Sequence, residues 1–285
     1  MPSLLDIRRR IRSVKNTQQL TKAMKTVSAA KLRRAQERVL SARPYAAQLK
    51  KVLANLAARI ENVKHPLLEV RPEKNVLLVV VTADRGLCGA FNANIIRTAQ
   101  NFIRQHRETR QIRLIMAGRK GRDFFRRRDI PILFDFVNIF SKLEFSNAKD
   151  IGERIIEAYA KGEFDAVYLV YNEFKSVIQQ RLAIEKLLPF DRGELKEPQS
   201  QIDYIYEQPP QEIFNRLLPR YVETQIFRAL LESAAAEHGA RMGAMDTATR
   251  NAGEMIEMLT LNMNRVRQAA ITREIIEVVS GAGAL

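Results

Sequence analysis

The chain has one cysteine, Cys88, and it sits in Thr82-Ala83-Asp84-Arg85-Gly86-Leu87-Cys88-Gly89-Ala90-Phe91-Asn92, between a strand-like run and a helix-like one. A glycine-bearing turn at such a junction can cradle phosphate on backbone amides, and a thiol beside a carboxylate such as Asp84 can act as a nucleophile. Neither chemistry is completed. The turn lacks the spacing of a G-x-G-x-x-G fingerprint and the Gly-Lys-Ser/Thr of a P-loop. No histidine is near Cys88, and His65, His106 and His238 are scattered along the chain, which argues against a catalytic dyad or a metal cluster. No paired carboxylates stand in a pocket-forming context. The sequence therefore predicts no catalytic, cofactor-binding or metal-binding residue.

With 285 residues and 46% hydrophobic content the chain can bury a substantial core, as one or two domains. No run approaches the roughly 18 apolar residues of a membrane span, and the opening Met1-Pro2-Ser3 has neither a signal-peptide nor a transit-peptide character. A soluble, cytoplasmic protein is expected. A single cysteine permits no internal disulfide.

The net charge of +15 is concentrated at one end. Residues 1–60 carry 15 Lys and Arg against Asp6 and Glu37, a net +13, whereas residues 221–285 carry 6 basic and 8 acidic residues, a net −2. A basic helix reads as a solvated face, as a nucleic-acid or membrane footprint, or as a surface for acidic protein partners. Tyr45 is the one aromatic on that stretch and the chain has no Trp, so a stacking platform for bases is missing.

These residues are carried by two long helix-forming stretches, Leu4 to about Asn62 and Gln211 to about Val279, around a mixed segment from Lys74 to Gln208. As single helices they would be about 90 and 100 Å long, too long to be wrapped inside a globule, and they are expected to pair as an antiparallel coiled coil. Ser3 and Asp6 form a capping-box variant for the first, and Pro209-Pro210 with Glu212 open the second. Pro44 and Pro219 should kink or interrupt their helices. The expected divisions are 1–65, 66–208 and 209–285.

The middle segment reads as an α/β unit. Asn75–Val81, Ile112–Ala117, Ile132–Val137 and Ala166–Tyr171 are short apolar runs suited to buried strands, separated by helical stretches at Ile95–Arg107, Arg119–Arg128 and Ala148–Ala160. That alternation implies a largely parallel sheet with covering helices. Val177–Leu187 would add a further strand.

In the second long helix Met245, Ala248, Ala252, Met255, Leu259, Asn262, Val266 and Ala269 alternate at three and four residues, the seam of a left-handed coiled coil in which Asn262 would fix register. Leu4, Ile7, Ile11 and Val14 start the matching seam. Pairing the helices from a shared root puts Met1 near Ala270 and leaves about 15 residues without a partner in this chain. Ile271, Ile275, Ile276, Val278, Val279 and Leu285 would then form an exposed apolar patch that calls for a partner's apolar sleeve.

Several motifs are specific together. Asn16-Thr17-Gln18, Thr21-Lys22-Ala23-Met24 and Val27-Ser28-Ala29-Ala30-Lys31, the turn Asp84-Arg85-Gly86-Leu87-Cys88-Gly89, and the closing Arg267-Gln268-Ala269-Ala270-Ile271-Thr272-Arg273-Glu274 to Val279-Ser280-Gly281 resemble the gamma subunits of F-type ATP synthases, over essentially the whole chain. The resemblance implies the central shaft of a rotary motor, non-catalytic itself, turning inside a ring of three alpha and three beta subunits. The patch at the end of the second helix would be its bearing tip. Arg267, Gln268 and Thr272 match positions that contact a beta loop, and Met24, Arg241 and Glu277 match positions linked to coupling. If Met24 lies beside Arg241, the overhang becomes about 20 residues. Asp203, Tyr204, Tyr206 and Glu207 match the segment that rests on the membrane-embedded ring of c subunits, and an epsilon subunit is a further implied partner. A bacterial chain, peripheral on the cytoplasmic face of the membrane and present in one copy per complex, is the resulting expectation. The short stretch from Asp191 to Pro209 has no cysteine, which excludes the thiol regulation of chloroplast relatives. A basic coiled-coil nucleic-acid binder, an α/β enzyme with helical extensions and a homo-oligomeric scaffold are the competing classes.

Overall fold

A computed structural model describes residues 3–60, 65–128, 130–176, 180–190 and 207–282. In chain order the elements are α1 (Leu4–Arg59), a 3-10 turn (Pro66–Leu68), β1 (Asn75–Val81), α2 (Phe91–His106), β2 (Gln111–Ala117), α3 (Arg119–Phe125), β3 (Ile132–Phe136), a second 3-10 turn (Ile139–Ser141), α4 (Phe145–Ala160), β4 (Ala166–Phe174), β5 (Gln180–Leu188) and α5 (Pro210–Ala282). By compactness the chain forms two units, residues 1–29 with 241–285, and residues 30–240.

Both long helices begin as their sequences dictate. The Ser3 amide and hydroxyl both reach an Asp6 carboxylate oxygen, at 3.2 and 2.8 Å, while the Asp6 amide donates back to Ser3 Oγ at 3.2 Å. This reciprocal cap satisfies amides that have no partner inside the helix. Pro210 opens α5, where a missing amide is harmless, and Glu212 lies in the first turn.

Pro44 and Pro219 do not interrupt their helices; α1 and α5 both continue through them. Each proline removes one backbone bond, at about 3 kcal/mol in a helix interior. Around Pro219 that cost is offset by Phe214, Leu218, Tyr221, Val222 and Ile226, all buried. Near Pro44, buried Val39 and Leu49 and the Arg43–Glu232 ion pair, at 3.1 Å, hold the backbone in place.

Within residues 30–240 the sheet runs β3-β2-β1-β4-β5. Strands β1 to β4 are mutually parallel and β5 is antiparallel to β4. β1 occupies the centre, where a strand is covered on both faces, and six of its seven residues are buried. Helix α2 buries Ile95, Ile96, Ala99 and Phe102, and α4 meets α5 where Gly152 leaves room for Glu223. Helices α2 and α4 start earlier than the apolar runs alone suggest, at Phe91 and Phe145; α4 is capped by Glu144 and Asn147, a polar pair that an apolar scan does not see.

Ties beyond the sheet fix the amino ends of the strands. The Asp165 carboxylate accepts from the amides of Lys74 and Asn75 at 3.0 and 2.7 Å, and the buried Tyr159 hydroxyl donates to Glu69 O at 2.8 Å, its pKa pushed up to about 12 by burial.

Residues 3–29 and about 241–267 pair as an antiparallel coiled coil. On α1 the inward positions are Leu4, Ile7, Ile11, Val14, Gln18, Thr21, Lys25 and Ser28, a strict three-four alternation. On α5 the period is as expected but the phase differs: Met245, Ala252, Leu259 and Val266 face inward together with Thr249, Ile256, Met263 and Ala270, while Met255, Asn262 and Ala269 are exposed. Asn262 therefore does not set register. Heptads tolerate either a three- or a four-residue first step, and polar Thr249 is accommodated because its hydroxyl has partners in the seam.

Candidate functional site

The turn after β1 uses its polar groups to hold itself. Thr82 Oγ1 accepts from the Gly121 amide at 2.9 Å. Asp84 Oδ1 accepts from the amides of Arg119 and Asn138 at 3.0 and 2.9 Å. Asn92 accepts from the Ala83 amide at 2.9 Å and donates to Cys88 Sγ at 3.2 Å, with that sulfur buried. Asp84 thus binds two backbone amides from other segments and does not face the thiol as a base. Gly118, at φ +109°, packs against the Thr82 carbonyl so closely that a Cβ there would stand 2.1 Å from its oxygen.

His65 and His106 serve local backbone. His65 Nδ1 accepts from the Leu67 amide at 3.1 Å, with burial lowering its pKa, and His106 Nδ1 lies 2.8 Å from Phe102 O. Among the described residues no group of three or more His, Cys, Asp or Glu could hold a metal, and no helix is long and apolar enough to cross a membrane.

The coiled coil offers surfaces for partners. Register there is set by polar contacts inside an otherwise apolar seam: Lys25 Nζ to Asp246 Oδ1 at 2.6 Å, Thr21 Oγ1 to Thr249 Oγ1 at 2.8 Å, and Gln18 Nε2 to Thr249 O at 3.4 Å. The hydrogen bond and charge of Lys25 hold the Asp246 carboxyl below its ordinary range. These contacts were not anticipated from sequence; polar residues at seam positions were the available signal.

With Thr21 opposite Thr249, Ser3 is level with about residue 267. Beyond that point α5 has no helix beside it, and every residue from Ile271 to Ser280 is exposed. Ile271, Ile275, Ile276, Val278 and Val279 are 48 to 71% exposed. Arg267, Gln268, Thr272 and Glu277 are also exposed there, with Thr272 Oγ1 donating to Gln268 O at 2.9 Å. Met24 and Arg241 are half-buried on the paired part. The register places Met24 level with about Asp246, some five residues along the helix from Arg241. On the outer face of α1, Arg8, Arg9, Arg10, Arg12, Lys15 and Lys22 are exposed. Glu207 is exposed just before α5; Asp203, Tyr204, Tyr206 and Leu285 lie outside the described residues.

Two helices pinned in antiparallel register, one basic on its outer face and the other continuing alone with exposed apolar side chains along one side, define a protein that works by contact with partners. A family model described as ATP synthase matches residues 3–285. Over its full length the chain is 56% identical to the ATP synthase gamma chain of Solibacter usitatus (strain Ellin6076), covering 99% of that relative, and 52% identical to that of Pelotomaculum thermopropionicum, covering all of it. The chain belongs to the ATP synthase gamma-chain family. Among solved structures, the central stalk and c-ring of the Tetrahymena thermophila mitochondrial ATP synthase contains a chain matching 80% of this one, with 99% of that chain covered, at TM-score 0.63 and 27% identity. A chain of the Euglena gracilis mitochondrial enzyme shares the fold over 99% of this chain and 94% of its own, at TM-score 0.72 and 20% identity.

Proposed function

We propose that this chain is the rotor shaft of an F-type ATP synthase, turning inside a ring of three alpha and three beta subunits and coupling ion flow through a c-subunit ring to ATP synthesis or hydrolysis. The observation that carries this reading is the unpaired end of α5, which beyond the first residue of α1 exposes Ile271, Ile275, Ile276, Val278 and Val279 along about half of its circumference. An end of that kind fits a sleeve of apolar side chains from a ring of subunits. Family membership favours the shaft over the basic coiled coil that binds nucleic acid.

In this role the chain is non-catalytic. It acts on remote sites by contacting differently placed beta subunits differently, so that each orientation favours a different set of their conformations. Arg267, Gln268 and Thr272, exposed beside the tip, would meet a beta loop, and Met24, Arg241 and Glu277 would contribute to coupling. The basic face of α1 suits acidic segments of beta through contacts that are individually weak and screened by salt. Asp203, Tyr204, Tyr206 and Glu207 would rest on the c ring, with an epsilon subunit as a further partner, on the cytoplasmic face of a bacterial membrane and in one copy per complex.

Co-purification with alpha and beta tests the reading, comparing the full chain with one ending at Ala270. Assembly of the full chain, with ion pumping impaired or the complex destabilised by the truncation, supports it. Failure of the full chain to join any such complex overturns it.

A further inference from the structure

Residues 30–240 carry a basic site that the coiled-coil role does not use. A cleft of about 660 Å³ opens at the amino ends of β2 and β3, and five of its ten lining residues are arginines: Arg107, Arg110, Arg113, Arg127 and Arg128. Among the described residues that line it none is acidic. Arg110 is paired with Glu73, at 2.8 Å, while Arg128 stacks over Phe124 and Arg113 over Phe164, at 4.3 and 5.6 Å from the ring centres. Arg107 and Arg127 are exposed. Exposed Lys74 adjoins the same edge, its carbonyl accepting from the Gln111 amide at 2.7 Å.

Basic residues after a helix offset its negative carboxyl end, which accounts for one or two of these arginines. Glu73 pairs with Arg110, and the other four guanidinium groups around the cleft repel one another unless an anion lies among them. Phosphate suits the forked donor geometry of arginine. A small, desolvated phosphate does not suit this place. Such sites sit at helix amino ends and at the carboxyl edge of a parallel sheet, whereas this cleft lies at the amino edge, where α2 and α3 both end. Nor does a ring stand free for a base to stack on, since Arg128 covers Phe124. Exposed, spread and multivalent cations fit instead a surface carrying many phosphates.

We propose that this cleft binds the phosphates of anionic phospholipid headgroups; the choice of a bilayer as their source rests on the proposed seating of residues 203–207 at a membrane-embedded ring. At about fivefold in affinity per arginine near an anionic surface, removing Arg107 and Arg127 weakens binding about 25-fold.

The test uses the full chain and sedimentation with phosphatidylcholine vesicles, with or without 30% phosphatidylglycerol, together with calorimetry against pyrophosphate. R107Q/R127Q is compared with R8Q/R9Q, which removes equal charge from α1, and circular dichroism checks that both fold. The proposal expects binding that requires phosphatidylglycerol, a loss near 25-fold for R107Q/R127Q and under threefold for R8Q/R9Q. Equal losses, or no preference for phosphatidylglycerol, overturn it. Pyrophosphate binding that R107Q/R127Q abolishes while vesicle binding persists overturns the lipid source. Co-purification with alpha and beta separates the two readings: an unmodified chain that assembles normally but does not bind phosphatidylglycerol vesicles sinks this proposal alone, and failure of the unmodified chain to assemble sinks the shaft.

Discussion

Thr21 and Thr249 meet hydroxyl to hydroxyl, 2.8 Å apart, in the seam between α1 and α5. Their two protons serve three contacts, since Thr21 also reaches Gln18 O at 3.0 Å and Thr249 reaches Met245 O at 2.7 Å. A slip of one heptad would separate the pair, so this contact fixes register more tightly than the alanines around it.

Cysteines placed at 21 and 249 in one chain should therefore join on mild oxidation, because side-chain atoms already this close suit disulfide geometry. Cysteines at 21 and 262 should not, as the second position lies about 20 Å further along α5. Non-reducing gel mobility reads the result; crosslinking of the 21/262 pair would contradict the register.

Gly118→Ala should destabilise residues 30–240 by about 3 kcal/mol or more. It adds a Cβ against the Thr82 carbonyl, which is backbone and cannot swing away, at a positive φ that side chains resist. A urea midpoint unchanged from the parent would show that the contact relaxes easily.

Glu73 should contribute stability that acid removes. Burial raises its pKa, but hydrogen bonds from Lys186 and Tyr168, with the charges of Lys186 and Arg110, outweigh this and hold the carboxyl below its ordinary range. A carboxyl depressed on folding stabilises above its unfolded pKa, about 4.3. That contribution is lost as pH falls through the folded value. Glu73→Gln should cost about 1 kcal/mol at pH 7 and progressively less below about pH 4. A cost independent of pH would assign the effect to packing.

Replacing Ile275 and Val279 by serine should leave the melting temperature of the isolated chain unchanged, since both are more than half exposed. Binding of a hydrophobic dye and self-association should fall, and so should assembly with alpha and beta. A drop in melting temperature instead would mean that the tip folds back on its own chain.

What could be read in advance follows from which interactions are local. The run Asn75–Val81 identifies a central strand because burial on both faces demands continuous apolarity, and Ser3 with Asp6 announces a helix start within four residues. The length of the overhang came from element lengths alone. An apolar scan puts the α5 seam on Ala248 because it is more apolar than Thr249, whereas the hydroxyl of Thr249 is satisfied by Met245 and Thr21, the latter from another helix. The prolines looked disruptive because propensity is local and the packing that carries them is not. The arginine cleft was invisible for the same reason: Arg107 and Arg127 come together only once β2 and β3 pair in parallel.

Helices held in heptad register wrap around one another with a left hand. Such a pair responds differently to torque of opposite sign, because one sense winds the strands together and compresses the seam while the other unwinds it and opens the contacts. The polar crosslinks at Thr21–Thr249 and Lys25–Asp246 resist sliding in either sense. A machine part built this way is stiffer against one direction of twist than the other, and single-molecule torsion measurements in both directions would read that difference as two unequal spring constants.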